Sequence, residues 1–470
     1  MKSLLLFALS AIICFPLVSC NHPDDDSENE DVKCELYQYS NKIVPSSWFS
    51  VDVEGRSATV LETIEHDICV FGAEGQVTVE VGAWREQIST AVVRPVSENI
   101  DCEIVDGKAR FTLKPYDQVV VELNGNEKKC LFIFVNPIES GKPDQNDPDV
   151  LYFKAGTITE ENITATSGKT IYIEGGAIVK GSINAPQETS NVSIRGCGIL
   201  DSRDKTARGV NIHKTNSLTI EGITLINNNN WSTLIAEGDG VEIKNYKVVA
   251  VRSNVTDSGK ENDALDLLGC RNAVVSDCFA YAHDDLFCVK SHKWDYKGKV
   301  DNVLFQNCTA WNVYGGNSFV IGAEINEDVS NVTYRNCCSI RGAGEEASVG
   351  MYRGGISVHN CAGGHVSGIL FENIWLEDCR EYGICLDIRK SYVKNLGNGV
   401  EYTPGTCDGI TLRNIHILKE PRFGNLVKGK DDEHRIENVL LEDVFQEGEK
   451  LQNSDIGSKI KVSFADCTIR

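Results

Sequence analysis

Two short acidic segments carry residue types able to do acid and base chemistry. In Glu261-Asn262-Asp263-Ala264-Leu265-Asp266-Leu267 and in His283-Asp284-Asp285-Leu286-Phe287-Cys288-Val289-Lys290, carboxylates stand just ahead of a short apolar strand. With Leu265 laid over Phe287 and Leu267 over Val289, Asp263 falls over Asp285 and Asn262 over Asp284. Gly316-Asn317-Ser318-Phe319-Val320-Ile321 and Arg353-Gly354-Gly355-Ile356-Ser357-Val358 fit the same frame. One column then reads Asp263, Asp285, Asn317, Gly354, and its neighbour reads Asn262, Asp284, Gly316, Arg353. Strands stacked in parallel sit roughly 4.8 Å apart, so three carboxylates could act on one bond. Stacked like charges push one carboxyl upward, which sets a proton donor beside an ionised acceptor.

Such a stack needs a repeating fold, and the sequence repeats. The units Asn191-Val192-Ser193-Ile194-Arg195-Gly196-Cys197, Asn272-Ala273-Val274-Val275-Ser276-Asp277-Cys278, Asn302-Val303-Leu304-Phe305-Gln306-Asn307-Cys308 and Asn331-Val332-Thr333-Tyr334-Arg335-Asn336-Cys337 share one template. It recurs with drift at Ser217, Gly240, Gly368, Gly409 and Asn438. Alternation within each unit has period two, and no helix-length apolar periodicity lies between units. The expected fold is all-β: a right-handed parallel β-helix over residues 151–470. The seventh template position alternates Cys with Ile and Val, so these cysteines act as compact interior hydrophobes and are expected to be mostly free thiols. No Cys and His spacing resembles a zinc site.

Ahead of the repeats, residues 34–138 show short alternating runs such as Gln118-Val119-Val120-Val121-Glu122-Leu123, separated by turn pairs such as Asp106-Gly107. This predicts a small antiparallel β-sandwich, joined to the β-helix by a linker over residues 139–150. The balance of 46 basic against 68 acidic residues gives a net charge of −22. Such a surface repels nucleic acid and anionic membranes, which excludes both as partners. Residues 1–19 read as an export signal ending in Leu17-Val18-Ser19-Cys20, a lipid-attachment-like box, and residues 20–33 as an acidic tether. The start resembles that of a Bacteroidetes lipoprotein acylated at Cys20. It places the protein at the outer membrane, on the cell surface or on the periplasmic side, with the lipid as its membrane contact.

Asn262-Asp263, Asp284-Asp285 and the segment 316–322 resemble the motifs of the polygalacturonases, glycoside hydrolase family 28: Asn-Thr-Asp, Gly-Asp-Asp, Gly-His-Gly and Arg-Ile-Lys. The domain order and aspartate trio are similar also to the dextranase and isopullulanase family, family 49. The resemblance implies an exported enzyme that cleaves an α-linked polysaccharide or oligosaccharide, of pectin-type polygalacturonan or a relative, with inversion and without a cofactor or metal. It makes Asp284 the general acid, with Asp263 and Asp285 positioning and deprotonating the attacking water. Asn262, Asp266, Asn317 and Arg353 are the expected substrate contacts. The chain departs from the pattern at Asn317, where the family has histidine, and at Ser318, where it has glycine. Arg-Ile-Lys has no clean match: Arg353 holds a plausible rung, Gly355 stands in the place of the lysine, and Ile388-Arg389-Lys390 is a later candidate. A neutral α-glucan of the dextran type is therefore an alternative substrate. Two further alternatives are a calcium-dependent polysaccharide lyase, whose clustered aspartates would hold the ion, and a non-catalytic glycan-binding β-helix. His283 and His292 are expected to be local hydrogen-bond partners, and Trp231, Tyr314, Tyr352 and Tyr382 to lie near the cleft.

Overall fold

The structure is a computed structural model that describes residues 33–185, 188–203, 208–250, 262–312, 314–342, 352–389 and 403–470. The export signal with Cys20, most of the tether, Glu261 and Lys390 lie outside the described residues.

The sandwich pairs a six-stranded with a five-stranded sheet. Phe49–Val53, Val77–Ala83 and Lys108–Leu113 alternate buried with less buried residues, and bury Val51, Val79 and Phe111 against Cys69, Val121 and Ile133 of the other sheet. One expectation is corrected. Asp67–Glu74 and Leu131–Pro137 run parallel, because the chain between them crosses through the second sheet and returns with enough length for a parallel crossover.

From Val150–Phe153 to Ala465–Ile469 the chain forms one continuous wound sheet whose coil strands pair in parallel with the strand one coil later, while Glu449–Lys450 folds back antiparallel and His292–Lys293 with Tyr296–Lys297 makes a separate antiparallel pair. The template explains the winding. Its first position lies in the left-handed region throughout: Asn191, Ser217, Gly240, Asn272, Asn302, Asn331, Gly368, Gly409 and Asn438 have φ between 51° and 69°. Glycine and asparagine adopt that turn at least cost. Asn302 Nδ2 donates to Asn272 Oδ1 at 2.9 Å, and Asn373 and Asn414 continue a second amide ladder at 2.9 Å per rung. The seventh position, Cys197 through Val444, is buried all along the coil. All sixteen described cysteines are free.

The six-stranded sheet docks its outer face on the β-helix. Phe132 and Phe134 meet Phe279 with ring centroids 5.3 and 5.0 Å away, and Tyr281 and Trp311 close the patch. Lys247, enclosed in this junction and brought down to about 8 by burial, donates to Asn136 Oδ1 at 2.5 Å and to Gly222 O at 2.9 Å. At the patch edge Glu65 accepts from Tyr281 OH at 2.6 Å and lies 2.9 Å from His283 Nε2. The sandwich thus braces the residue next to Asp284.

Candidate active site

Strand Leu265–Leu268 pairs with Phe287–Lys290, Leu265 opposite Phe287 and Leu267 opposite Val289. Phe287 pairs in turn with Phe319, and Phe319 with Ile356. The main chain carries this register into the residues ahead of the strands: Ala264 N donates to Asp285 O at 2.8 Å, Leu286 N to Asn317 O at 2.9 Å and Ser318 N to Gly354 O at 3.3 Å. Asp263, Asp285, Asn317 and Gly354 therefore form one column.

Inward alternation of Leu265, Leu267, Phe287 and Val289 turns Asp266, Cys288 and Lys290 to the outer face. Lys290 is the residue that sequence reasoning missed. Its ammonium donates to Asp263 Oδ2 at 3.0 Å, Asp266 Oδ1 at 2.8 Å and Cys288 Sγ at 3.0 Å, which uses all three N–H groups. Asp285 Oδ2 lies 3.5 Å away. Burial alone would discharge this lysine; Asp263, Asp266, Cys288 and Asp285 outweigh it and hold Lys290 charged. Burial pushes the Asp263 and Asp266 carboxyls above the usual range, with Lys290 opposing, and neighbouring carboxylates add to the rise. These groups exchange protons as a set. The signal in the sequence was parity, since Lys290 shares the outward face of Asp266 on the adjacent strand.

Asp285 Oδ1 accepts from Asn317 N at 3.0 Å and from Asn317 Nδ2 at 2.7 Å. Asn317 Oδ1 in turn accepts from Gly354 N at 2.9 Å and Ser357 Oγ at 2.7 Å, and lies 3.1 Å from His359 Nε2. Gly354 N–H can only donate, so it fixes which end of the amide faces Asp285, and His359 must present Nε2–H. His359 Nδ1 contacts Asp387, whose Oδ2 lies 3.1 Å from Arg389 Nε. His359, Cys385 and Asp387 bring ligand-type atoms within 4.8 Å of one another, and the two imidazole nitrogens face Asn317 and Asp387.

Asp284 is half-buried and sits where the backbone leaves it space. A Cβ on Gly316, at φ 77°, would fall 2.5 Å from Asp284 Oδ1. Arg353 packs its guanidinium over Gly315 and lies 3.7 Å from Glu381 Oε1. Burial pushes Glu381 up to about 7, opposed by Arg353.

The expected substrate contacts divide. Arg353 stays partly open over Gly315. Asp266 is fully buried as a counter-ion to Lys290, with its Oδ2 unpartnered, and Asn317, 5% exposed, gives an Nδ2 hydrogen to Asp285 and its Oδ1 to Gly354, Ser357 and His359. Asn262 is buried, with its Nδ2 3.3 Å from Asn228 O. Arg389, the alternative clamp, pairs with Asp387 and lies 4.8 Å from the Tyr352 ring centroid. His292 is buried 3.8 Å from Glu327.

The chain matches the family model for glycosyl hydrolases family 28 over residues 153–455. It is 24% identical over 243 residues to exopolygalacturonase B of Aspergillus niger, covering 45% of this chain and 52% of that protein. It is 26% identical over 281 residues to a probable exopolygalacturonase B of Aspergillus fumigatus, covering 53% and 59% respectively. The chain thus spans little more than half the length of these curated relatives. The solved structure of Dex49A from Penicillium minioluteum superposes with a TM-score of 0.61 at 15% identity, covering 92% of this chain and 96% of that one, a likeness of parallel β-helix fold. With the family model matched over most of the β-helix, the chain belongs to glycosyl hydrolase family 28.

Proposed function

We propose that this β-helix hydrolyses an α-linked polysaccharide, of the polygalacturonan type or a related glycan, with inversion at the column of Asp263 and Asp285 and its neighbour Asp284. The observation that carries the reading is the unequal setting of the three acids. Asp284 stands half-open beside Gly316 and protonates the leaving oxygen. Asp285, whose contacts are all donors, takes the proton of the attacking water. Asp263, enclosed with Lys290, holds that water's other side and tunes the shared protons.

Elimination with Lys290 as the base is the less favoured chemistry, because a lysine base must be uncharged and Asp263, Asp266 and Asp285 hold Lys290 charged. The test is product analysis on polygalacturonan, rhamnogalacturonan, dextran and other α-glucans, with and without chelator, reading the first anomer by NMR. Saturated, inverted, chelator-insensitive products support the reading, and cleavage of dextran alone moves the substrate to a neutral glucan. Unsaturated, chelator-sensitive ends refute hydrolysis, and binding without products leaves a glycan-binding protein. Export and acylation at Cys20 belong to the same proposal; loss of palmitate labelling in Cys20→Ala is the expected result.

A further inference from the structure

The column of the acids begins earlier than the sequence motifs do. Val210 pairs with Thr233, and Thr233 with Leu265. Val210 N donates to Ser232 O at 2.9 Å, and Ser232 N to Asp263 O at 2.7 Å. Two residues ahead of each strand start, Arg208 therefore lies over Trp231, and Trp231 over Asp263. Rungs are spaced about 4.8 Å, so Arg208 stands roughly 10 Å from Asp263 along the axis, a span of one to two sugar units.

Trp231 is continuous with the acid cluster, its ring centroid 4.5 Å from Lys290 Nζ. Arg208 Cζ lies 5.8 Å from the Trp231 ring and 4.7 Å from that of Trp294, which is 39% exposed. The cations around it have acids: Lys290 has Asp263 and Asp266, and Lys293 has Glu324 at 2.7 Å. Arg208 has none within 4.0 Å among the described residues, and its Nε is buried without a hydrogen-bond partner. A half-buried guanidinium, stacked on an indole with its Nε unpartnered among the described residues, is costly unless an oxyanion completes it.

We propose that Arg208, carried on Trp294, binds an anionic group of the glycan at a subsite two rungs from Asp263, so that the sugar seated there is acidic, a uronate or a sulfate ester. The inference rests on the hydrolase reading for the line of the cleft. It supplies an anion contact that the missing Arg-Ile-Lys element does not.

The test compares wild type, Arg208→Gln and Arg208→Lys on polygalacturonan, carboxyl-reduced polygalacturonan, dextran and dextran sulfate. The ratio of kcat/KM on the acidic glycan to that on its neutral counterpart falls about ten- to hundredfold in Arg208→Gln, the scale of a charge-assisted contact. Arg208→Lys lies between, as a point charge without the fork. Carboxyl reduction costs wild type the same factor and costs Arg208→Gln nothing further; preference for dextran sulfate instead names the sulfate. Equal loss on acidic and neutral glycans, with a displaced pH profile, overturns the proposal, because Arg208 would then only offset the charge of Asp263 and Asp266. Wild type cleaving neutral glycans alone overturns it and leaves the hydrolase reading standing. If none of the four is cleaved, calorimetric titration of tri-galacturonate and dextran sulfate decides for Arg208, and affinity unchanged in Arg208→Gln refutes it.

Discussion

Asn317 Nδ2 donates to Asp285 Oδ1 at 2.7 Å, and the opposite end of the same amide faces His359 Nε2. His359 acts through Asn317 as a positioning residue, two coils removed from Asp285. His359→Gln, which can still offer a donor, is expected to retain most turnover. His359→Leu should lose kcat about ten- to hundredfold with KM little changed, the scale of a misaimed hydrogen bond to a charged group. Steady-state kinetics and the acidic limb of the pH profile, which belongs to the base, check this; equal loss in both variants would make His359 a packing residue.

Lys290 neutralises a cluster that would otherwise be buried and negative. Lys290→Met should destabilise the fold by about 3–5 kcal/mol, because it leaves Asp263 and Asp266 without their cation. Adding Asp266→Asn should recover part of that loss. Chemical denaturation of the two single variants and the double variant measures the coupling.

Gly316 is required by sterics. In Gly316→Ala the new Cβ would press on the Asp284–Asp285 main chain and on Asp284 Oδ1, in a backbone conformation that disfavours side chains. Turnover should fall at least about tenfold, the lower part of the range for losing a placed acid, while circular dichroism and cooperative unfolding persist. Wild-type turnover in this variant would remove Asp284 from the chemistry.

Glu381 gives stability a pH dependence. Its folded pKa of about 7 lies above the unfolded value of 4.5. Between those pH values the folded protein keeps a proton that the unfolded chain has released, so this residue's contribution to stability falls as pH rises through the window. Glu381→Gln should flatten that part of the stability profile, and thermal unfolding from pH 4.5 to 7.5 reads the difference.

The column of Asp263, Asp285, Asn317 and Gly354 was legible because strand parity is rigid: fixing Leu265 over Phe287 fixes every neighbour. The β-helix was legible because each coil needs a left-handed residue at one place, and Asn191, Asn272, Asn302 and Asn331 declare it. Contacts that leave the strand frame were not. Lys290 bends along the outer face to the preceding rung, and His359 reaches Asn317 from the next coil, as local spacing does not reveal. Both faces of Leu131–Pro137 are apolar, which marks a buried strand without saying that Phe132 and Phe134 meet Phe279. Asp266 has the parity of a cleft residue, yet burial and Lys290 withdraw it.

The central claim is that Asp284 donates the proton to the leaving group, and its most direct measurement is the turnover of Asp284→Asn on whichever glycan wild type cleaves. The expected result is a loss of about 100- to 10,000-fold in kcat with glycan binding retained, and loss of the basic limb, on which the general acid gives up its proton. Turnover within about twofold of wild type, with an unchanged pH profile, would contradict the account.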